Sequence, residues 1–503
     1  MKAKNILKKV ALVSLPLFMA SCEKDFLDIN TNPNLPTSST PELVLPSALA
    51  NTGSVTNNDL NILGNLLSGH WAQSPDYLFY NAQETYQFTP STYNATWVSL
   101  YSGGLEDYQY VDAEATKSGK KNLSAIAKIM QAYNYQLLVD AWGDVPFSES
   151  LQGTGNLAPK YEAATTVYDG ILKLIDAGLA SIDVSATADK PGTNDIVFAG
   201  NMDKWKRFAN TLKLRVLLRQ SLTASRASQV TAGFATLTGA TFLGAGENAG
   251  TNPGYANQTG KFSPLYGAIG FTVTGAETSN FTATRGNKYS VDFVNATADP
   301  RVSLLFRPAK NSGNYVGVYP GTTATPTTKN ADYSAVGPGI LPASANNGFA
   351  KPAYLITATE SYFLQAEAYL KGFLPGGVAA AQTAYQTGIE ESFKLLGSTS
   401  AAAQAFYSTS ANPLVNWTAA TAANRQFEAV ITQKWLALNG VDGFEAWSEF
   451  RRTGYPVNTP MPLNNISGGK HPLRIPYVQD EIGANSANVP QVDIFSTKIF
   501  WEQ

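Results

Sequence analysis

The stretch His70-Trp71-Ala72-Gln73-Ser74-Pro75-Asp76-Tyr77-Leu78-Phe79-Tyr80, continuing to Tyr86, Tyr93 and Trp97, sets aromatic rings among amide, carboxylate and hydroxyl side chains. Ring faces suit the apolar C–H faces of sugars, and amides and carboxylates suit their hydroxyl edges. Trp71, Tyr77, Tyr80 and Tyr86 are therefore candidate ligand contacts, joined by Tyr255 and Tyr266 from a later loop-rich stretch. For each ring the alternative is core filling beneath a loop, and it weighs most for Trp97.

Covalent chemistry finds little support. There is no G-x-S-x-G elbow, no H-E-x-x-H pair and no Walker A loop. Gly244-Ala245-Gly246 is followed by Gly250, which misses the dinucleotide spacing. The chain has one cysteine, Cys22, which rules out an intramolecular disulfide, a cysteine metal cluster and thiol catalysis in the mature body. Its two histidines, His70 and His471, are far apart, so neither a metal site nor a cofactor is expected. Paired carboxylates of the glycosidase kind are a spatial arrangement, and a cell-surface glycoside hydrolase stays open as the alternative. With 36 Lys+Arg against 38 Asp+Glu, a net charge of -2 and no basic block, the chain lacks a footprint for nucleic acid. Charged residues make up 15%, against roughly 25% in an average soluble protein, so the surface must rely on Asn, Thr, Gln, Ser and Tyr.

The first residues read as an export signal. Lys2, Lys4, Lys8 and Lys9 precede an apolar stretch from Val10 to Ala20. That stretch is too short to span a bilayer, which takes about 20 residues. Met19-Ala20-Ser21-Cys22 resembles a bacterial lipobox, although such boxes prefer Leu at the first position. Lipidation at Cys22 is expected. Each buried methylene contributes about 0.8 kcal/mol, so two or three acyl chains would anchor the protein almost irreversibly. Residues 22–40 follow as a flexible tether: Glu23-Lys24-Asp25, then a run rich in Asn, Pro, Thr and Ser. The charged start resembles the tag that sends Bacteroidetes lipoproteins to the outer face of the outer membrane.

The elements that must position these residues are helices. Ile126, Ile129, Met130, Tyr133 and Leu137 lie on one face of a helix over 124–141 that Gly143 and Pro146 stop. Similar stripes predict helices over 165–182, from an N-cap at Asp203 through Trp205, Phe208, Leu212 and Val216, over 357–371, over 424–438 and over 444–452. Trp205 and Trp435 fall on apolar faces and are assigned to the core. The expected fold class is mainly α: an irregular tetratricopeptide-like array of helical hairpins, one domain over 41–503. Long loop-rich insertions are expected near 231–290 and 311–349. Their aromatics, among them Tyr315 and Tyr319, mark them as ordered and packed on the helices.

Five segments then carry a resemblance. They are Tyr135 through Trp142-Gly143-Asp144-Val145-Pro146-Phe147, Trp205 through Asn210-Thr211-Leu212-Lys213-Leu214-Arg215, and Tyr362 through Ala366-Glu367-Ala368. Trp435 through Glu445-Ala446-Trp447 and Arg451-Arg452-Thr453-Gly454 is the fourth, and Arg474-Ile475-Pro476-Tyr477 with Glu481, Asn485 and Asn488 the fifth. In this order, behind a lipoprotein signal, they resemble the SusD/RagB-like nutrient-binding lipoproteins. Val478 stands where that family usually has Pro. Read from the residues alone, the motifs are mostly structural. Arg451 and Arg452 should pair with Glu445 or Glu449, and Asn210 and Asn485 should satisfy buried backbone groups. The resemblance implies a non-enzymatic protein of the outer membrane that binds a glycan, oligosaccharide or peptide. It also implies delivery to a TonB-dependent, SusC-like transporter.

Overall fold

The helices that organise the molecule are, in chain order, α1 (Pro41–Val55), α2 (Asn61–Leu67), α3 (Asn94–Leu100), α4 (Glu106–Lys117), α5 (Lys121–Trp142), α6 (Ala164–Ser181), α7 (Met202–Gln220), α8 (Ala358–Leu370), α9 (Gly377–Leu395), α10 (Gln426–Ala437) and α11 (Gly443–Thr453). They come from a computed structural model that describes residues 39–185, 187–325 and 328–502. The export signal, Cys22 and the tether as far as residue 38 lie outside the described residues. One π-helical turn, Thr56–Leu60, joins α1 to α2, and another, Tyr101–Leu105, joins α3 to α4.

The predicted stripes form the predicted helices, within two or three residues at each end. The stripe from Ile126 to Leu137 lies in α5, almost wholly buried between α4 and α6. The cap of α7 is Asn201 rather than Asp203: its side chain accepts the Lys204 N–H at 3.0 Å, which leaves Asp203 inside the first turn. The pairs α4/α5, α5/α6 and α8/α9 pack as successive hairpins, and α7 lies against α6 and α8. The expected mainly α, hairpin-array fold class is borne out. Trp205 and Trp435 are core residues, 0% and 1% exposed.

Strands are short and come in three antiparallel pairs among the described residues. β1 (Trp71–Gln73), β2 (Val145–Pro146), β3 (Tyr161–Glu162), β4 (Ala249–Thr251), β5 (Thr284–Gly286) and β6 (Ala353–Ile356) pair as β1/β5, β2/β3 and β4/β6. The stretches near 231–290 and 311–349 are mostly loops, turns and short helices, and they contribute Tyr266, Ile269, Phe271, Phe281 and Val336 to a buried cluster with Trp71 and Trp435. Most of their aromatics pack inward as expected, but Tyr319 does not: it is 39% exposed.

Two features hold this frame together. Where α2 crosses the start of α11, a Cβ on Gly64 would sit 2.1 Å from the Gly443 carbonyl carbon, so only hydrogen lets the backbones approach. Asn61 Oδ1 accepts the Gly443 N–H at 2.7 Å and Asn65 Oδ1 accepts the Gly440 N–H at 2.9 Å across this crossing. Behind it lies a buried ion network. Arg215 pairs with Glu360 (2.6 Å), Arg219 with Glu445 and Glu449 (2.6 Å to the latter), and Lys434 with Glu445 (2.8 Å). Arg452 holds Glu367 through two bonds (2.7 and 2.8 Å) and Glu449 at 2.5 Å. Burial opposes charge on Arg452, but Glu367 and Glu449 outweigh it and push its pKa above the ordinary value. Several residues in the motifs that carried the resemblance meet in this network: Arg215, Glu367, Glu445, Glu449 and Arg452. Arg451 departs from the expected pairing. It takes Glu502 (3.1 Å) and the Leu473 and Asp140 carbonyls, and lies over the Trp447 ring. Asn210 and Asn485 do satisfy backbone, bonding the Thr241 and Pro159 carbonyls.

Candidate ligand-binding face

The loop after β1 is built outward from a buried base. β1 runs antiparallel to β5 with Trp71 opposite Gly286 and Gln73 opposite Thr284. Trp71 points into the core, fully buried, and its Nε1 donates to Asn439 Oδ1 at 3.0 Å. The chain then turns: the Ser74 hydroxyl donates to Asp76 (2.6 Å) and the Tyr77 N–H to the Ser74 carbonyl (3.1 Å). It closes where the Tyr80 N–H donates to Gln73 Oε1 and the Tyr80 hydroxyl meets Thr284 Oγ1 at 2.8 Å. Between these ties the tip presents Asp76, half-buried Tyr77, Leu78 and Phe79, the last two 85% and 51% exposed. The Phe79 ring stands edge-on to Tyr80, centroids 4.8 Å apart, so a buried residue fixes its base.

Two further segments are stitched to this loop. The Glu84 carboxylate accepts the Gln73 N–H at 2.7 Å and the Gly321 N–H at 2.5 Å. Gly321 has a left-handed φ of 76°, and a Cβ there would lie 2.6 Å from Leu463 N, so glycine is required by both conformation and space. The Leu463 N–H donates to the Pro320 carbonyl and the Ile466 N–H to the Thr85 carbonyl, each at 3.0 Å. The Tyr86 hydroxyl meets His471 Nδ1 at 3.2 Å. Tyr319, Leu463 and Ile466, on these segments, join Leu78 and Phe79 as large apolar side chains in the open. Asp76 adds polar function beside them, accepting from Asn330 at 3.2 and 3.3 Å. Arg285 donates to the Asn330, Phe281 and Thr284 carbonyls, and burial lowers its pKa to about 10, so it stays charged at neutral pH.

The expected contacts divide accordingly. Tyr77 keeps access to solvent. Trp71, Tyr80 and Tyr86 gather at the same place but are buried, 0%, 4% and 2% exposed, and a ring without accessible area offers a ligand no face. They support the face rather than form it. Tyr266 is likewise in the core, packed on Phe262 and Phe271 and bonded through its hydroxyl to Ser344 (2.6 Å). Tyr255 is half-buried on a different loop, whose Asn252 N–H bonds the Ile196 carbonyl. Phe79 and Leu78 are the exposed side chains of the stretch that sequence reasoning did not select, and Tyr319, from the later loop-rich stretch, is exposed as well. His70 is no ligand either: its ring stacks on Trp435 and burial lowers its pKa to about 3.

Glu84 gives this face a measurable pH signature. Burial raises its pKa from 4.5 to about 7, against the two backbone N–H groups that favour the charged form. A carboxyl raised on folding holds its proton while the unfolded chain has already released it. Stability from this group is therefore full below about pH 4.5, falls as pH rises through about 7, and is flat above. Glu84→Gln should remove this slope. Thermal melts of both proteins across pH 4.5–7.5 check it: the difference in melting temperature should shift in favour of the variant as pH rises. Parallel curves would mean that folding leaves the Glu84 pKa unchanged.

Residues 33–478 match the SusD-like family described as starch-binding associating with outer membrane. Among solved structures, a chitin-binding protein superposes with a TM-score of 0.75 at 22% identity, over 92% of this chain and all of the other. A SusD/RagB family protein from Bacteroides thetaiotaomicron gives 0.73 at 20% identity, covering 92% and 99%. A chitin-binding SusD homologue from Flavobacterium johnsoniae gives 0.70 at 23%, covering 92% and 97%. A search of curated protein sequences finds no match. Since the family match spans most of the sequence, the chain belongs to the SusD-like family.

Proposed function

We propose that this protein captures a soluble glycan at the surface of a bacterial outer membrane, anchored by lipid on Cys22, and delivers it to a TonB-dependent, SusC-like barrel. The observation that carries the binding reading is the rigid loop tip, with Tyr77, Leu78 and Phe79 facing solvent beside Asp76 and Asn330. Apolar surface next to fixed hydrogen-bonding groups is what a pyranose ring needs. The family description and the two chitin-binding neighbours make glycans the first ligand class to test. No helix of the described residues is long and apolar enough to cross a membrane, which leaves association to the lipid and the partner. A peptide-binding role would use the same exposed tip. We read the protein as a binder without turnover. Incubation with oligosaccharides should return them uncut, and accumulation of shorter products would instead support the glycoside hydrolase.

Phe79→Ala tests the site. Removing one exposed stacking ring should weaken oligosaccharide binding by about 1–3 kcal/mol, as for an interface hot spot. The melting temperature should hardly move, because half of the ring is already in water. Calorimetric titration with maltohexaose and chitohexaose gives the readout. Unchanged affinity for every oligosaccharide that binds the native protein would place the site elsewhere.

A further inference from the structure

The π-helical turn Tyr101–Leu105 lines a second cleft that shares no residue with the face around Phe79. A π turn inserts an extra residue into a helix, a cost that persists chiefly where the altered side-chain directions are used. The cleft walls are Trp97, Val98, Tyr101, Pro146, Leu151 and Pro159, and the cleft holds about 270 Å³, at the lower edge of the range of small-ligand sites. Leu151 has a left-handed φ of 59°, an uncommon conformation for a bulky residue, and it is held there as part of this wall. The Tyr101 ring is fixed by its hydroxyl, which donates to the Pro146 carbonyl at 2.7 Å, and by Trp97, 5.0 Å away between ring centres.

The polar lining has one sign. Glu106, Asp480 and Glu481 face the cleft with the Ser102 and Ser150 side chains, and no Lys or Arg lines it. None of the three carboxylates is in a salt bridge with a described residue. Lys160, next to Pro159 in the chain, turns to Glu149 at 3.7 Å. Glu481 is oriented by two donors on the same oxygen, Tyr161 (2.9 Å) and Asn485 (3.1 Å). Asp480 is set by Asn94, which donates to it at 2.8 Å and accepts its N–H at 3.0 Å. The uncompensated charge is felt by the rings: beyond burial, Glu481 helps to raise the pKa of both Tyr101 and Tyr161. An apolar, aromatic wall opposite fixed carboxylates with no cation is complementary to a compact ring bearing a protonated amine.

We infer that the cleft between Tyr101, Leu151 and Glu481 is a second binding site, for a sugar carrying a free protonated amine. Its ring would lie against Tyr101 and Leu151, and its ammonium would meet Glu106 and Glu481. The choice of a sugar rests on the glycan reading above; the choice of an amine rests on the cleft alone.

The test is calorimetric titration of the whole protein at pH 6 with glucosamine tetrasaccharide and with its N-acetylated counterpart. Glu481→Gln and Glu106→Gln should each weaken the glucosamine oligomer about tenfold, the loss of one charge-assisted contact. Both should leave the acetylated oligomer unaffected. Glu106 is exposed on α4, so its variant keeps the fold even if Glu481→Gln disturbs Tyr161. Phe79→Ala should leave glucosamine affinity at this cleft unchanged. Equal binding of the two oligomers, or full glucosamine affinity in both glutamine variants, would overturn the proposal. If Phe79→Ala alone abolishes glucosamine binding, the cleft is not the site while the glycan reading stands. If no oligosaccharide binds the native protein, both fail together.

Discussion

Arg452→Ala is expected to destabilise the protein by on the order of 3–5 kcal/mol, the usual cost of breaking a buried ion pair from one side. The guanidinium is fully buried and holds Glu367 and Glu449, both almost fully buried themselves. Its removal leaves two carboxylates facing each other in the core, without solvent. They also lose the charge that, together with Lys434 and Arg219, holds the Glu449 pKa far below the ordinary carboxylate range against burial. Stability by urea unfolding gives the number. A second variant separates lost packing from stranded charge: Arg452→Met combined with Glu367→Leu should recover part of the loss, since an apolar pair of similar volume leaves fewer uncompensated groups. If the double change is as damaging as the single, packing rather than charge carries the effect.

Trp71→Ala should cost a similar amount, about 3–5 kcal/mol for a large buried aromatic. It empties a site in the buried cluster that also holds Trp435, Phe281 and Phe306, and leaves the Asn439 side chain without its donor. The contrast with Phe79→Ala is the informative part. Both are aromatics of one nine-residue stretch, yet one variant should lose stability and the other only affinity. Urea unfolding and oligosaccharide titration on the same two proteins check this. A Trp71 variant with native stability and weakened binding would return that ring to the ligand face.

Helices were legible in the sequence because their signal is local. The stripe from Ile126 to Leu137 repeats within one turn's distance, and Gly143 and Pro146 mark its end in the next few residues. Even the cap of α7 was missed by only two positions, with Asn201 in place of Asp203. The proposed ligand face was legible as a segment but not as a set of exposed side chains. Which ring of 70–80 turns inward is decided when β1 pairs with residues 284–286, more than two hundred positions away, and no local pattern reports that pairing. Arg452 shows the same division. Its bond to Glu449, one helical turn back, was readable, while the pair with Glu367 comes from a different helix. The π turn at Tyr101–Leu105 had no sequence signal at all in a helix that otherwise continues through it.

The Gly64–Gly443 crossing also sets an order of assembly. Its hydrogen bonds join Asn61 to Gly443 across 382 positions, and Trp71 to Asn439 across 368. Contacts of such span form late, because the intervening chain must be gathered before they return anything. Until the chain from Asn439 through α11 exists, Trp71 has no acceptor for its indole N–H and α2 has no partner for its glycine face. A chain still growing, or cut before residue 439, can complete the hairpins of α4, α5 and α6 but lacks the partners that seat Trp71 at the base of the loop that carries Phe79. The proposed binding face is thus one of the last parts of the protein to take shape, and an intact face reports that the chain has folded as far as α11.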